Sequence, residues 1–186
     1  MKRAFPYAKA FAKFVSNHFR IAPSIARGGV VTFGEDAELQ IPFNKYAGAE
    51  EFGNAVEQIS YEGYRTRIHR GFEVASEGLF NTSLGARPSV PKLLFVVTDG
   101  RQSSHSDPRL VRRSYRSSFF LLSQDVKIVA IGMHGTDDID VEMLQYITRS
   151  RENVYVIDAP EKLVSKTFLD GLVFDYCQQT GNNKRA

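Results

Sequence analysis

Asp99 closes the stretch Lys92-Leu-Leu-Phe-Val-Val-Thr-Asp-Gly100. Leu93 to Val97 is an unbroken apolar run, as in a strand covered on both faces in a parallel sheet flanked by helices. An acidic side chain at the carboxyl end of such a strand stands where open α/β sheets bind ligands, and Gly100 lets the chain turn sharply away. Asp99 can equally be a turn or capping residue. A second set is Arg109, Arg112, Arg113 and Arg116, at i, i+3, i+4 and i+7. That spacing puts them on one helix face, opposite Val111, Tyr115 and Phe119, with Phe120 beside the stripe on the exposed side. Guanidinium groups so arrayed can take sulfate or phosphate oxygens bidentately, and a solvated face paired with nearby acids is the plain alternative. Asn81-Thr82-Ser83 is an N-glycosylation acceptor triplet in an expected loop.

Other chemistry finds no pattern. His18, His69, His105 and His134 form no metal-ligand spacing. There is no Gly-x-Ser-x-Gly elbow, no phosphate-binding Gly-x-x-x-x-Gly-Lys loop and no Gly-x-Gly-x-x-Gly. The one cysteine, Cys177, excludes an internal disulfide framework and a multi-cysteine zinc site. A net charge of +3 is too small to imply nucleic acid, and no base-reading motif accompanies it. No apolar stretch is long enough to span a bilayer. Lys9 and Lys13 interrupt the apolar region that a secretory leader needs.

The elements that must position these residues follow from periodicity. At 186 residues the chain is one domain of ordinary size. Residues 3–20 read as an amphipathic helix, with Phe11, Phe14, Val15 and His18 or Phe19 recurring and Pro6 in the first turn. Gly29–Phe33 and Glu38–Phe43 read as a hairpin, the second an edge strand because of Pro42. Helices follow at 48–59 (Phe52, Val56 and Ile59 inward) and from Ile68, with Phe72, Ala75 and Leu79 on its buried face. After Asp99 come a helix at 108–123, a buried strand at Val126–Met133 and a helix opened by Asp137-Asp138. A third core strand at Val154–Ile157 and a last helix from Pro160 to about Gln178 complete the order. Strands alternating with helices predict a doubly wound α/β domain over residues 1–178, with 179–186 as a flexible tail.

This order of elements carries recognisable words. They are Gly29-Val-Val-Thr-Phe-Gly34, Phe43-Asn-Lys-Tyr46, Ile59-Ser-Tyr-Glu-Gly-Tyr-Arg-Thr66, Gly85-Ala-Arg-Pro-Ser-Val-Pro-Lys92, Val96-Val-Thr-Asp-Gly100, Val126-Lys-Ile-Val-Ala-Ile-Gly132 and Leu144-Gln-Tyr-Ile147. From about residue 5 to residue 175 the set resembles a von Willebrand factor type A domain, most of all the secreted forms in matrilins and collagens. The resemblance implies a mostly parallel sheet of order 3-2-1-4-5-6, with helices on both faces and one antiparallel edge strand. It also exposes a gap: the family's central first strand, ending in Asp-x-Ser-x-Ser, has no counterpart. Without it, Val30–Phe33 and Leu93–Val97 should stand about 9–10 Å apart with unpaired facing edges, so the domain is expected to be N-terminally truncated.

In that family a divalent ion, here magnesium or manganese, sits at the carboxyl edge of the sheet. The resemblance assigns Thr66 as a direct ligand and Asp99 as one acting mainly through water, while the two serines of the missing motif are lacking. The family's Thr-x-Thr-Gly becomes Thr66-Arg67-Ile68-His69, with His69 at a close-packing glycine position. Family pairing would also give Cys177 an upstream partner; an isolated buried thiol is the alternative. The implied function is a non-enzymatic, extracellular adhesion module binding collagen-like matrix protein. It would depend on metal only with the missing strand supplied. The alternative is a sulfated glycosaminoglycan on the arginine face.

Overall fold

The computed structural model describes residues 3–62, 65–98, 108–133 and 139–172. Helix α1 spans Phe5–His18, with Pro6 in its first turn, where a missing N–H breaks no helical bond. Strands β1 (Val30–Phe33) and β2 (Ala37–Ile41) form an antiparallel pair that sets Thr32 opposite Glu38. Helix α2 (Ala49–Glu57) buries Phe52 and Val56 with Ile59 against Ile41, as its periodicity predicts. Helix α3 (Ile68–Val74) runs on through a π turn at Ala75–Leu79. Ile68, Phe72, Ala75 and Leu79 are all buried on its inner face. Gly71 lets α3 close on the hairpin, since a Cβ there would meet the Phe33 ring at 3.1 Å.

The second sheet is parallel: β3 (Lys92–Thr98), β4 (Val126–Met133) and β5 (Val154–Ile157), in the order β3-β4-β5. The register pairs Leu94 with Ile128 and Gly132 with Val156. Its crossovers are α4 (Pro108–Ser123) and α5 (Val141–Thr148). A short 3₁₀ turn at Pro160–Val164 leads into α6, residues 166–172. Helices cover both faces. Leu94, Val96, Ile128 and Ala130 pack with α3, α4 and α5, whereas Phe95, Val129, Ile131 and Met133 pack with α1 and α6. The fold is the expected α/β one, with an antiparallel hairpin beside a parallel sheet and no strand between them among the described residues.

Four local expectations are corrected. The buried side of α4 is Ser114, Ser118 and Leu121, not a stripe through Phe119, which is 56% exposed. Serines are small enough to let α4 lie close to its neighbours, and Ser118 Oγ satisfies itself on Tyr115 O at 2.9 Å. Residues 139–140 are not helical, and α5 starts at Val141 because Asp140 Oδ1 caps it, accepting from Met143 N–H at 2.9 Å. Strand β5 is an edge, with Val156 50% exposed, rather than a covered core strand. The last helix does not run straight from Pro160: Ser165 is extended, and separates the 3₁₀ turn from α6. Asp99, Gly100, His105, His134, Asp137, Asp138, Cys177 and the tail lie outside the described residues.

Candidate functional site

A large concave feature lies between the two sheets. Strands β1 and β3 are not hydrogen-bonded to each other, and a cavity of about 1610 Å³ separates them. Val30–Phe33 line one side and Leu93–Thr98 the other. Phe11 and Ala12 of α1 form a third wall, and Ile68 and Phe72 of α3 a fourth. Phe11 meets Phe95 edge-on with centroids 5.4 Å apart, which fixes α1 over this side of the sheet. The central apolar run is therefore only half-covered. Leu93, Leu94, Phe95 and Val97 are all partly exposed, against the expectation of a strand closed on both sides. Helices do pack on each face, but among the described residues no strand flanks β3 on the side of β1.

The carboxyl end of this slot is polar. Thr66 is half-buried and lines it together with the buried Thr98. The β1–β2 turn brings Glu35 and Asp36 to the same place. Glu35 pairs with Arg67 and lies 3.9 Å from the Arg65 guanidinium, while Asp36 pairs with Arg70. Arg67 N–H donates to Gly34 O at 3.1 Å, which anchors the Thr66 loop to the hairpin turn. None of these acid–arginine pairs was foreseen. The only sequence signal was a two-acid turn and a later cluster of arginines, with nothing to say that they meet.

On the far side, α4 carries the arginines as its spacing predicts. Arg109, Arg112, Arg113 and Arg116 are exposed and line a concavity of about 590 Å³ with Tyr115 and Phe119. Among the described residues no carboxylate pairs with Arg112, Arg113 or Arg116. Arg149, at the end of α5, donates to the Tyr115 hydroxyl and stands 5.1 Å from its ring centroid. Tyr146 packs on the same ring at 4.6 Å. The result is a cationic surface interleaved with aromatic rings. Arg149 and Tyr146 were missed because they come from a different helix.

Asn81 is exposed at the start of a 3₁₀ turn, Thr82–Leu84. Its Oδ1 accepts from Ser83 N–H at 2.9 Å and from Ser83 Oγ at 2.8 Å. The acceptor triplet is thus folded on itself as a surface turn.

A family model for the von Willebrand factor type A domain matches residues 1–167. The chain belongs to that family. The domain is 26% identical over 182 residues to the human collagen alpha-6(VI) chain, spanning 97% of this chain but only 7% of that protein. It is 25% identical over 171 residues to cuticlin-6 of Caenorhabditis elegans, covering 91% of this chain and 27% of the other. Among solved structures, proximal thread matrix protein 1 from the mussel byssus superposes with a TM-score of 0.81 at 22% identity, over 95% of this chain and 44% of that one. That byssal protein has also been solved with a zinc-occupied MIDAS motif.

A von Willebrand factor type A metal centre does not fit the donors described in this chain. Magnesium takes about six oxygens in near-octahedral array. Thr66 is the one proposed ligand among the described residues, and the two acids of the β1–β2 turn are already paired with arginines. No cluster of three or more His, Cys, Asp or Glu side chains forms among the described residues. His69, at the family's glycine position, is buried at the start of α3.

Proposed function

We propose that this von Willebrand factor type A domain is a non-enzymatic, extracellular interaction module for matrix components. The observation that carries the reading is the α4 face, where four exposed arginines converge around Tyr115 and Phe119. Relatedness to collagen chains and cuticlin supports a matrix setting. The folded unit would take in residues 1–178, with 179–186 as a tail and a glycan at Asn81. A collagen-like protein would engage the carboxyl edge around Thr66 and Asp99. Magnesium or manganese would be needed there only when a strand bearing the absent serines completes the site.

The arginine face favours a second ligand class, a sulfated glycosaminoglycan, bound without metal. Guanidinium forks match sulfate oxygens, and exposed rings can lie against sugar faces. The two readings separate in one experiment on immobilised collagen and immobilised heparin, across a salt series, with and without chelator. Heparin retention should fall steeply with salt, survive chelation, and be lost in the Arg112→Glu/Arg113→Glu/Arg116→Glu variant. Collagen retention should be unchanged in that variant. If neither surface retains the chain at low salt, the matrix-module reading is wrong.

A further inference from the structure

We propose that the sulfated glycan crosses from α4 to α5 instead of running along α4, with its sugar rings on an aromatic tract and its sulfates on arginines from both helices. This rests on the arginine-face reading above and adds what the face selects: a sulfated sugar chain, not negative charge in general.

Three rings from two helices make the tract, with Tyr115 touching both of the others. Phe119, one turn further along α4, stacks beside Tyr115 with centroids 6.5 Å apart and planes at 29°. Tyr146 of α5 packs on Tyr115 at 4.6 Å and 39°. Phe119 is 56% exposed and Tyr146 49% exposed. Aromatic side chains carry a large apolar area that folding ordinarily buries. Two such rings left open and joined through a third form a surface suited to a ligand with a flat apolar face.

Cations border the tract from both helices. Arg112 stands three residues before Tyr115 and Arg116 three before Phe119, so each lies beside a ring on the helix surface. From α5, the Arg149 guanidinium lies 5.1 Å from the Tyr115 centroid and donates to the Tyr115 hydroxyl. Among the described residues no carboxylate pairs with Arg112, Arg116 or Arg149. Arg149 also occupies a costly position. It caps α5 with φ 59° and ψ 16°, in the left-handed region where glycine or asparagine is usual. Glycine would make that turn with less strain, so the turn itself does not require an arginine. What the side chain adds is a cation against the row of rings.

The occupant must satisfy both chemistries. A pyranose ring presents an apolar face of C–H bonds and carries sulfates at its rim, so a sulfated glycan offers flat faces and anions along one chain. Polyphosphate or an acidic peptide offers the charge without the face. Single-stranded nucleic acid offers both, through its bases. The small net charge of +3 and the kinship with collagen chains and cuticlin favour the sugar.

The test titrates the whole chain with a heparin oligosaccharide, with polyphosphate of matched charge and with oligodeoxythymidylate, across a salt series. Tyr146→Ala and Phe119→Ala should each weaken heparin binding by about threefold to tenfold without changing its salt dependence. Tyr146→Phe, which keeps the ring, should bind like the parent. Arg149→Gly should lower the slope of log affinity against log salt by about one, yet melt no lower than the parent. Polyphosphate should bind more weakly than heparin, and the ring variants should not weaken it further. Heparin binding that is lost in the Arg112→Glu/Arg113→Glu/Arg116→Glu variant but untouched by Tyr146→Ala, Phe119→Ala and Arg149→Gly would leave the arginine-face reading standing and overturn this one. Tighter binding of oligodeoxythymidylate than of heparin, weakened equally by the ring variants, would also overturn it, because the tract would then read bases. A parent chain that binds no heparin at low salt removes the arginine-face reading itself.

Discussion

Strands β3 and β4 are built from the same kind of apolar run, yet they have different surroundings. All of β4 except Lys127 is buried, because β3 and β5 flank it and helices cover both faces. Strand β3 has helices on both faces too, but among the described residues only one lateral neighbour, and most of it remains half-exposed. Helices alone do not close a strand. Lateral pairing excludes water from the backbone and brings the next row of side chains against the flanks. In the β1–β3 slot the covering layers are present, and among the described residues no strand fills the middle of the sheet.

That contrast can be broken by experiment. Ile131→Ala, in the closed region, should cost about 2–5 kcal/mol in urea unfolding, while Val97→Ala, facing Ile131 across the register but bordering the slot, should cost less than about 1 kcal/mol. Equal costs would mean that the slot is closed in solution. Hydrogen exchange sharpens the point further. In a parallel strand alternate amides point to opposite neighbours, so β3 should show slow amides toward β4 alternating with amides faster by about a hundredfold, and β4 should show none of that alternation.

Smaller effects test the supports of each region. Asp140→Ala removes the cap of α5 beside β4 and should cost about 1 kcal/mol by the same unfolding measurement. On the slot side, Lys13 of α1 pairs with Glu57 of α2 and holds the Glu57 carboxyl below its ordinary value through its hydrogen bond and charge. A carboxyl depressed on folding stabilises above its unfolded pKa and loses that contribution as pH falls through the folded value. Melting curves of the chain and of Glu57→Gln should therefore differ slightly near neutral pH and converge in acid. A constant difference down to acid pH would remove the pair from the account.

Element order and the buried faces of α2 and α3 were legible in the sequence, since Phe52, Val56, Ile68, Phe72, Ala75 and Leu79 sit at helical spacing and all turn inward. So was the arginine stripe, which depends only on the helix repeat, and so was the separation of the hairpin from the parallel sheet among the described residues. The register of α4 against the core was not. Ser114 and Ser118 face inward because close packing favours small side chains there, and hydropathy alone cannot see closeness. Neither the meeting of Glu35 and Asp36 with Arg65, Arg67 and Arg70 nor that of Arg149 with Tyr115 could be read, because each joins distant segments.

By itself the sequence determined what repeats locally: helices, strands, their apolar sides, and the family to which their order belongs. Tertiary structure alone decided which strand edges stay unpaired, which acids are neutralised, and how much of an apolar run is covered. Periodicity acts over a few residues, whereas lateral pairing and ion pairing depend on which distant segments arrive side by side.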